Sequence, residues 1–259
     1  MLQEQPHIRS SEDRYSRIRL IRELDFGGIR SSRICVVGAG ALGNEVIKNL
    51  ALYAPSLMTV VDSDRVDYTN LGRCFLFDRS DAETHRSKAE AASSRARLLN
   101  PDCSVECFPM DATTLDHTFF SRFSVVIGCV DSIRTRLHLN SNCYYAGIPY
   151  IDGGIDGLNG RIQVVLPPRT ACYECTLNGS HMDSVDSEYS CGGREASFPS
   201  RRIPSEPAVA GIVGSIQSLE AVKIVSHLRK EGTLLLYDGR TCILSELEVQ
   251  FSPICPNHT

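Results

Sequence analysis

The stretch Arg33–Asp62 reads RICVVGAGALGNEVIKNLALYAPSLMTVVD and decides the fold of this chain. An apolar β-type run from Ile34 to Val37 leads directly into a turn with the pattern Gly-x-Gly-x-x-Gly. A segment with helical periodicity follows, and a second apolar run from Leu57 to Val61 ends at Asp62. A strand, a glycine turn, a helix and a second strand with an acidic residue about 20 positions past the glycines are typical of a nucleotide-binding βαβ unit.

The three glycines of this turn, Gly38, Gly40 and Gly43, meet separate physical demands. One permits the tight turn, one lets the backbone approach phosphate, and one lets the helix pack closely on the strand. The helix N-terminus then offers unpaired N–H groups to an anion, and Asp62 is placed to accept hydrogen bonds from ribose hydroxyls. The alternative is a glycine-tolerant turn that only packs a helix on a sheet, and the motif does not say which nucleotide binds.

Composition limits the class of protein. The 259 residues are 42% hydrophobic and 22% charged, which is ordinary for a globular protein and allows one large α/β domain or two small ones. A net charge of −4 gives no reason to expect nucleic acid or an anionic membrane as a partner. We expect no membrane span and no signal peptide, and without export the eleven cysteines indicate a reducing, cytoplasmic setting. Their odd number excludes a fully paired disulfide framework.

The remaining elements extend the unit into a doubly wound, Rossmann-like, mainly parallel sheet with helices on both faces. Further helices are predicted near 81–99, 133–146 and 207–227, and antiparallel strands near 234–237 and 243–250. The other predicted segments are a polar leader at 1–12, an amphipathic helix at 13–24, a glycine-rich turn at 153–160, a single domain over 13–259 and a mobile crossover loop at about 178–206.

Charged side chains occur on segments that leave the same sheet edge as the glycine turn. Arg73 lies in a long polar loop after the second strand, Lys88 on the following helix, and Asp131 at the carboxyl end of a later strand. Each also fits a plain role as a surface arginine, a helix lysine or a helix-capping aspartate. Together, two cations beside a phosphate site and a carboxylate able to bind Mg²⁺ favour ATP over a nicotinamide dinucleotide.

These motifs occur in the order found in a known family, the E1-like (ubiquitin-activating-like) adenylating enzymes of the ThiF/MoeB/E1 superfamily, and residues 13–258 resemble it. The stretch 151–177 looks especially like the catalytic subunits that activate eukaryotic ubiquitin-like modifiers. The residues that carry the resemblance are Arg14-Tyr15-Ser16-Arg17, the glycine turn, Asp62, Asn70-Leu71-Gly72-Arg73, Lys88, Asp131, Cys172-x-x-Cys175 and the helix at 211–225.

The resemblance implies ATP-dependent adenylylation of the C-terminal carboxylate, usually Gly-Gly, of a ubiquitin-like or sulfur-carrier protein, with release of pyrophosphate. It assigns the ribose to Asp62, the phosphates to Asn70, Arg73 and Lys88, and Mg²⁺ to Asp131; Asp64 and Ser132 complete the nucleotide site. It also implies a homodimer in which Arg14 reaches the partner's site. The resemblance also implies a further partner, either a conjugating enzyme that takes the activated group or a sulfur donor that supplies sulfur to it.

Eleven cysteines divide by role. The pairs Cys172/Cys175 and Cys255/His258 have metal-ligand spacing, and the family, which normally has four cysteines here, implies a structural zinc site with His258 as a departure. The alternative is a tail too frayed to ligate. Cys191 in a polar loop is either the thiol that accepts the activated acyl group or a non-catalytic loop cysteine. The others in apolar surroundings are expected to pack in the core: Cys35, Cys107, Cys129 and Cys143.

Three other functions stay open. One is an ATP-dependent dehydratase of the same superfamily that acts on a tRNA-borne carboxylate. Another is a nicotinamide-dependent oxidoreductase, and a third is the scaffold subunit of a heterodimeric activator. The acyl substrate and its acceptor are not named by the sequence.

Overall fold

The computed structural model describes residues 12–177 and 204–258. The predicted leader therefore lies outside the described residues except for its last position, as does the crossover loop before residue 204. Cys191, the candidate acceptor thiol, is among the residues that are not described.

One eight-stranded mixed sheet forms the centre of the protein, in the order β3-β2-β1-β4-β5-β6-β7-β8. The first five strands in this order are parallel, and the last three join them antiparallel. The strands are β1 Arg33–Val37, β2 Leu57–Val61, β3 Val105–Phe108, β4 Val125–Gly128, β5 Tyr150–Asp156, β6 Asn159–Val165, β7 Thr233–Asp238 and β8 Ile243–Leu247.

Helices cover both faces of this sheet. Apolar side chains of α2, α4 and α7 pack in one buried cluster with one face of the parallel strands, and those of α5 and α6 pack on the other. The helices are α1 Phe26–Ser31, α2 Ala41–Tyr53, α3 Arg79–Glu83, α4 Lys88–Leu99, α5 His117–Phe120, α6 Ile133–Ala146 and α7 Pro207–Val225.

The central strands β1 and β4 are mostly apolar because they are buried on both faces. In β1, Ile34 and Val36 face the cluster of α2, while Cys35 and Val37 face that of α6. The doubly wound, mainly parallel sheet with C-terminal antiparallel strands is therefore confirmed. Of the four cysteines expected in the core, Cys107 is half-buried and the other three are buried.

The strand order reverses between β1 and β4. The chain runs outward from β1 to β2 and β3, and then returns to place β4 on the other side of β1. At such a switch point the connections leave in opposite directions, which opens a crevice beyond the carboxyl ends of the two strands.

The predicted amphipathic helix at 13–24 is wrong. Turns and a short 3₁₀ segment, Ile18–Leu20, occupy this stretch, and the first α-helix, α1, begins only after it. Of the apolar residues that gave the pattern, Tyr15 is buried but Ile21 is 47% exposed, so they share no buried face. Asp25 caps the N-terminus of α1, since its side chain accepts a hydrogen bond from the N–H of Gly28.

The helix predicted at 81–99 is two helices, α3 and α4, separated by residues 84–87. His85 adopts a positive φ of 46°, and the side chain of Ser87 caps the new helix by accepting from the N–H of Glu90. The break lets the backbone N–H of Lys88 donate to the carbonyl of Asp64 at 2.9 Å. Lys88 therefore begins α4 beside the end of β2 instead of lying within a long helix.

The glycine-rich turn predicted at 153–160 is mostly strand. β5 continues through Gly153 and Gly154, and a tight turn at Gly157, with φ 58°, joins it to β6. A Cβ at Gly153 would lie 2.3–2.4 Å from the side chain of Gln217, so this glycine permits close packing within a strand.

Among the described residues, α7 is long and apolar enough to cross a membrane by length and composition alone, which the sequence analysis did not expect. It packs against α2, β5 and β6, and half of it is buried in the protein. Its Gln217 donates to the carbonyl of Gly128 at 3.0 Å, and Glu220 is 2% exposed. Gln217 is thus bonded to the sheet, and Glu220 is paired with Lys223 and Arg229, so the buried polar groups of α7 have partners, as a core helix requires.

Candidate nucleotide pocket

A cavity of about 830 Å³ opens at the switch point, beyond the carboxyl ends of β1, β2 and β4. This volume lies within the usual range for small-molecule sites, about 300–1,000 Å³. Most of the residues predicted to bind a nucleotide line this cavity: Gly38, Gly40, Asp62, Asp64, Asn70, Arg73, Lys88 and Asp131.

The three glycines of the turn have three different surroundings. Gly38 has φ 93°, and a Cβ there would lie 2.5 Å from the carbonyl oxygen of Cys129. A Cβ at Gly43 would lie 1.9 Å from the carbonyl oxygen of Gly38, so α2 packs directly on the turn. At Gly40 nothing lies within 4 Å, and the backbone at the start of α2 is open to the cavity.

Asp62 holds the glycine turn against the end of β2. One carboxylate oxygen accepts from the N–H of Ala39 at 2.6 Å, and the other accepts from the N–H of Asp64 at 2.7 Å. Burial raises the pKa of the Asp62 carboxyl, and the bond from Ala39 and the charge of Lys88 oppose this rise in part. Each oxygen keeps a further lone pair for a hydroxyl of a bound ligand.

Lys88 and Asp64 form an ion pair on the wall of the cavity. The Lys88 Nζ lies 2.8 Å from the Asp64 Oδ2, and the exposed fractions of the two side chains are 13% and 66%. An exposed carboxylate contributes little as a partner, because solvent screens it. An anionic ligand in the cavity would therefore compete with Asp64 for the ammonium group at small cost.

Hydrogen bonds within the loop after β2 hold its conformation. Asn70 is buried and its side-chain oxygen accepts from the N–H of Asp67 at 2.9 Å, and Arg73 donates to the carbonyl of Thr69 at 3.0 Å. Sequence reasoning missed Asn44 on α2, which joins this loop to the glycine turn. Its side chain donates to the carbonyl of Ala39 and accepts from the N–H of Leu76, both at 2.7 Å.

Asp131 lies just after β4 and is exposed to the cavity. The next residue, Ser132, does not line the cavity, and its hydroxyl caps α6 by accepting from the N–H of Thr135 at 3.4 Å. Asp131 is therefore free of the capping role that was its plain alternative. A carboxylate at this edge suits a hard divalent cation such as Mg²⁺.

Arg136 also lines the cavity and was missed, although it follows Asp131 by five residues on a predicted helix. Its guanidinium donates to Asp152 and to the carbonyl of Val130. The opposing charge of Asp152 raises the pKa of Arg136 despite its burial, so it stays a cation.

The structure does not bring Arg14 into the pocket of its own chain. Arg14 donates to the side-chain oxygen of Asn100, which lies between α4 and β3 at the amino-terminal edge of the parallel strands. Tyr15 fixes this segment with a hydrogen bond of 2.8 Å to Asp102. The nucleotide pocket lies at the opposite edge of the same sheet.

A second site brings together the four predicted metal ligands. Cys172, Cys175, Cys255 and His258 present donor atoms that all lie within 4.8 Å of one another. The sulfur of Cys172 lies 3.9 Å from that of Cys175 and 3.5 Å from that of Cys255, and His258 Nε2 lies 3.1 Å from the Cys175 sulfur. Sulfur atoms about 3.8 Å apart fit a tetrahedral zinc ion with bonds of about 2.3 Å.

The surroundings of this cluster fix the tail of the chain. The imidazole of His258 lies edge-on to the rings of Tyr144 and Phe251, with ring centroids 4.8 Å apart in both pairs. Asn257 donates to the carboxylate of Glu174 at 2.7 Å and to the sulfur of Cys172 at 3.5 Å. The described tail is therefore packed and not frayed.

The fold and the pocket define a doubly wound nucleotide-binding protein, and the comparisons say which kind. Residues 13–257 match the ThiF family, so the chain belongs to that family. The chain is 30% identical to molybdopterin-synthase adenylyltransferase of Salmonella typhimurium over 251 residues, which cover 93% of this chain and 94% of that protein. It is 32% identical to SAMP-activating enzyme E1 of Haloferax volcanii, covering 94% and 87%.

Another relative matches over only part of its length. The NEDD8-activating enzyme E1 catalytic subunit of Schizosaccharomyces pombe is 37% identical over 153 residues, which are 57% of this chain and 34% of that one. The relatives confirm the predicted class, an E1-like adenylyltransferase. Among solved structures, E. coli MccB with ATP has the same fold, with a TM-score of 0.77 at 19% identity, covering 97% of this chain and 75% of that one.

Proposed function

We propose that this protein uses ATP to adenylylate the C-terminal carboxylate of a ubiquitin-like or sulfur-carrier protein and releases pyrophosphate. The observation that carries the proposal is the meeting of the glycine turn, Arg73, Lys88 and Asp131 in one cavity at the switch point. The full-length relatives are named for adenylylation or for activation of such a partner.

The reaction suits a pocket that supplies position and charge. A carboxylate oxygen attacks the α-phosphorus of ATP, the bond from that phosphorus to the bridging oxygen breaks, and pyrophosphate leaves. The nucleophile is already ionised at neutral pH, so the step needs no side-chain base. It needs alignment of the two reactants and neutralisation of negative charge that builds up on the phosphates.

The residues of the cavity divide this work. The open backbone at Gly40 and the N-terminus of α2 accept phosphate, and Asp62 accepts from the ribose hydroxyls. Arg73 and Lys88 neutralise phosphate charge, and Asn70 completes their loop. Asp131 would hold Mg²⁺, which would supply further positive charge to the phosphates.

The Cys/His cluster would hold zinc in a structural role. Its four donors match a closed Cys₃His site with no position left for substrate. Held together, the four residues bind the tail at 253–258 to the body of the protein. The cytoplasmic location predicted from the sequence stays a prediction.

We further propose that 13–259 forms one adenylation domain that works as a homodimer, in which Arg14 of each subunit serves the pocket of the other. Its support is that Arg14 lies at the wrong sheet edge to serve its own pocket. Transfer of the acyl group from AMP to the thiol of Cys191 stays a prediction. So do the two further partners, a conjugating enzyme that takes the acyl group or a sulfur donor that supplies sulfur to it.

The test is ATP–pyrophosphate exchange with a candidate partner protein that ends in Gly-Gly. The wild type should exchange only when this partner is present. Asp131→Ala should lower the exchange rate about 10²- to 10³-fold, the usual cost of losing one electrostatic contact to a transition state. The exposed acid Glu106, on β3, gives a matched control, and Glu106→Ala should exchange at the wild-type rate.

Other outcomes favour the other functions. Exchange that is unchanged in Asp131→Ala contradicts the assigned mechanism. ATP turnover that depends on tRNA would indicate the dehydratase, and tight binding of NAD without binding of ATP would indicate an oxidoreductase.

A further inference from the structure

Arg136 and Asp152 form a buried ion pair at the wall of the nucleotide pocket, and the adenylylation described above assigns no part to it. Asp152 on β5 is fully buried, and the Arg136 side chain is 11% exposed. The Arg136 Nη1 donates to the Asp152 Oδ2 at 2.7 Å, and the Tyr150 hydroxyl donates to the Oδ1 at 3.0 Å. Stability alone does not explain the pair, because apolar replacement of buried ion pairs is often neutral or stabilising.

The other arm of the same guanidinium reaches the main chain beside Asp131. The Arg136 Nη2 donates to the carbonyl of Val130 at 2.6 Å. Val130 lies between the end of β4 and the start of α6, directly before Asp131. One rigid group therefore ties the connection that carries Asp131 to the buried carboxylate of the neighbouring strand.

The residue opposite the guanidinium leaves room for this arrangement. A Cβ at Gly154 would lie 2.8 Å from Nη2 of Arg136, closer than real Cβ atoms approach, and 3.0 Å from Nη1, which is a tight contact. Since both nitrogens already donate hydrogen bonds, to Asp152 and to the carbonyl of Val130, the guanidinium has little freedom to move away. Glycine at this position of β5 is therefore a requirement of the Arg136 geometry.

We propose that Arg136 is a positioning residue that holds Asp131 in place for Mg²⁺ bound with ATP. The proposal rests on the proposed function, because it takes Asp131 to be the magnesium ligand. A planar, permanently charged fork holds two oxygen acceptors at once, which a lysine cannot do with the same geometry. Groups that orient a metal ligand without touching the metal usually change metal affinity about 10- to 100-fold when they are removed.

Binding of ATP to the whole protein, titrated with and without Mg²⁺, tests this inference without an acyl substrate. In Arg136→Met the half-saturating Mg²⁺ concentration should rise about 10- to 100-fold, while ATP affinity without Mg²⁺ stays at the wild-type value. Arg136→Lys should give a smaller rise, because one of the two contacts can be kept. Arg122→Met, at an exposed arginine before β4 at the opposite sheet edge, is the control and should match the wild type.

Two outcomes overturn the inference. A Mg²⁺ dependence equal to that of the wild type in both Arg136 variants would mean a purely structural pair. An equal loss of ATP affinity with and without Mg²⁺ would mean that Arg136 contacts the nucleotide itself.

If Arg136→Met fails to fold, Gly154→Ala displaces the guanidinium while keeping both charges and should also raise the Mg²⁺ requirement. A wild type that does not bind ATP would overturn the proposed function, a result distinct from either failure of the Arg136 inference.

Discussion

The two polar sites of this protein lie near opposite ends of α6 and are built in opposite ways. The nucleotide pocket begins at the N-terminus of the helix, at Asp131, and Asp64 and Asp131 in this pocket are exposed. The Cys/His cluster lies near its C-terminus, where Tyr144 packs on His258, and Cys172 is fully buried. An open site exchanges ligands, whereas a closed site of four protein donors holds one ion and stabilises the fold.

This contrast predicts that damage to the cluster lowers stability and that damage to the open part of the pocket lowers binding. The largest effect is expected for Cys172→Ser, which removes a buried donor. The free energy of unfolding should fall by about 4 kcal/mol or more, because metal binding at such sites is coupled to folding. Denaturant unfolding and the metal content of the purified protein measure it.

Cys242→Ser is the matched control, since Cys242 is an exposed cysteine in the turn between β7 and β8. It should keep wild-type stability and metal content. A Cys172→Ser protein with unchanged stability would break the contrast, because the cluster would then not be a structural metal site.

Substitutions at two glycines of the turn should affect stability and ATP binding differently. In Gly43→Ala the new Cβ meets the carbonyl oxygen of Gly38, so unfolding should become easier by about 3 kcal/mol or more. In Gly40→Ala the new methyl group enters open space, so stability should change by less than about 1 kcal/mol while ATP affinity falls. Thermal unfolding and ATP titration of both variants test the pair. Equal loss of stability in the two would contradict the surroundings described here.

The smallest effect concerns pH and Asp62. Burial raises the pKa of its carboxyl above the usual aspartate value, so protonation on acidification starts at higher pH than for an ordinary aspartate. ATP affinity should therefore fall by about tenfold as the pH drops through this raised pKa, since the ionised form accepts from ribose more strongly. The effect of Asp62 on stability runs in the other direction. Because the pKa of its carboxyl is higher in the folded protein than in the unfolded chain, ionisation of Asp62 lowers the free energy of unfolding, and this free energy rises as the pH falls through the raised pKa. ATP titrations across pH, with Asp62→Asn as the control that should show no such fall, measure the effect.

Most of the fold could be predicted because its signals are local. The runs Leu57–Val61 and Ile133–Ala146 form the elements that the sequence indicated, with the same limits. The failures are places where tertiary contacts override a local pattern. At 13–24 the apolar residues with helical spacing do not share one buried face. At Gly153 and Gly154 the glycines leave room for Gln217 of α7 and Arg136 of α6, which pack on β5.

The sequence by itself determined the glycine turn, the acid after β2, the cation-bearing segments and the two halves of the Cys/His cluster, because each is a short pattern of residue types. Only the tertiary structure decided which of them meet. It placed Arg14 at the far edge of the sheet, split the helix before Lys88, and set Arg136 between Asp152 and the chain at Val130. Such contacts join residues far apart in sequence or depend on where a strand ends. A short local motif predicts neither the long-range contact nor the end of the strand.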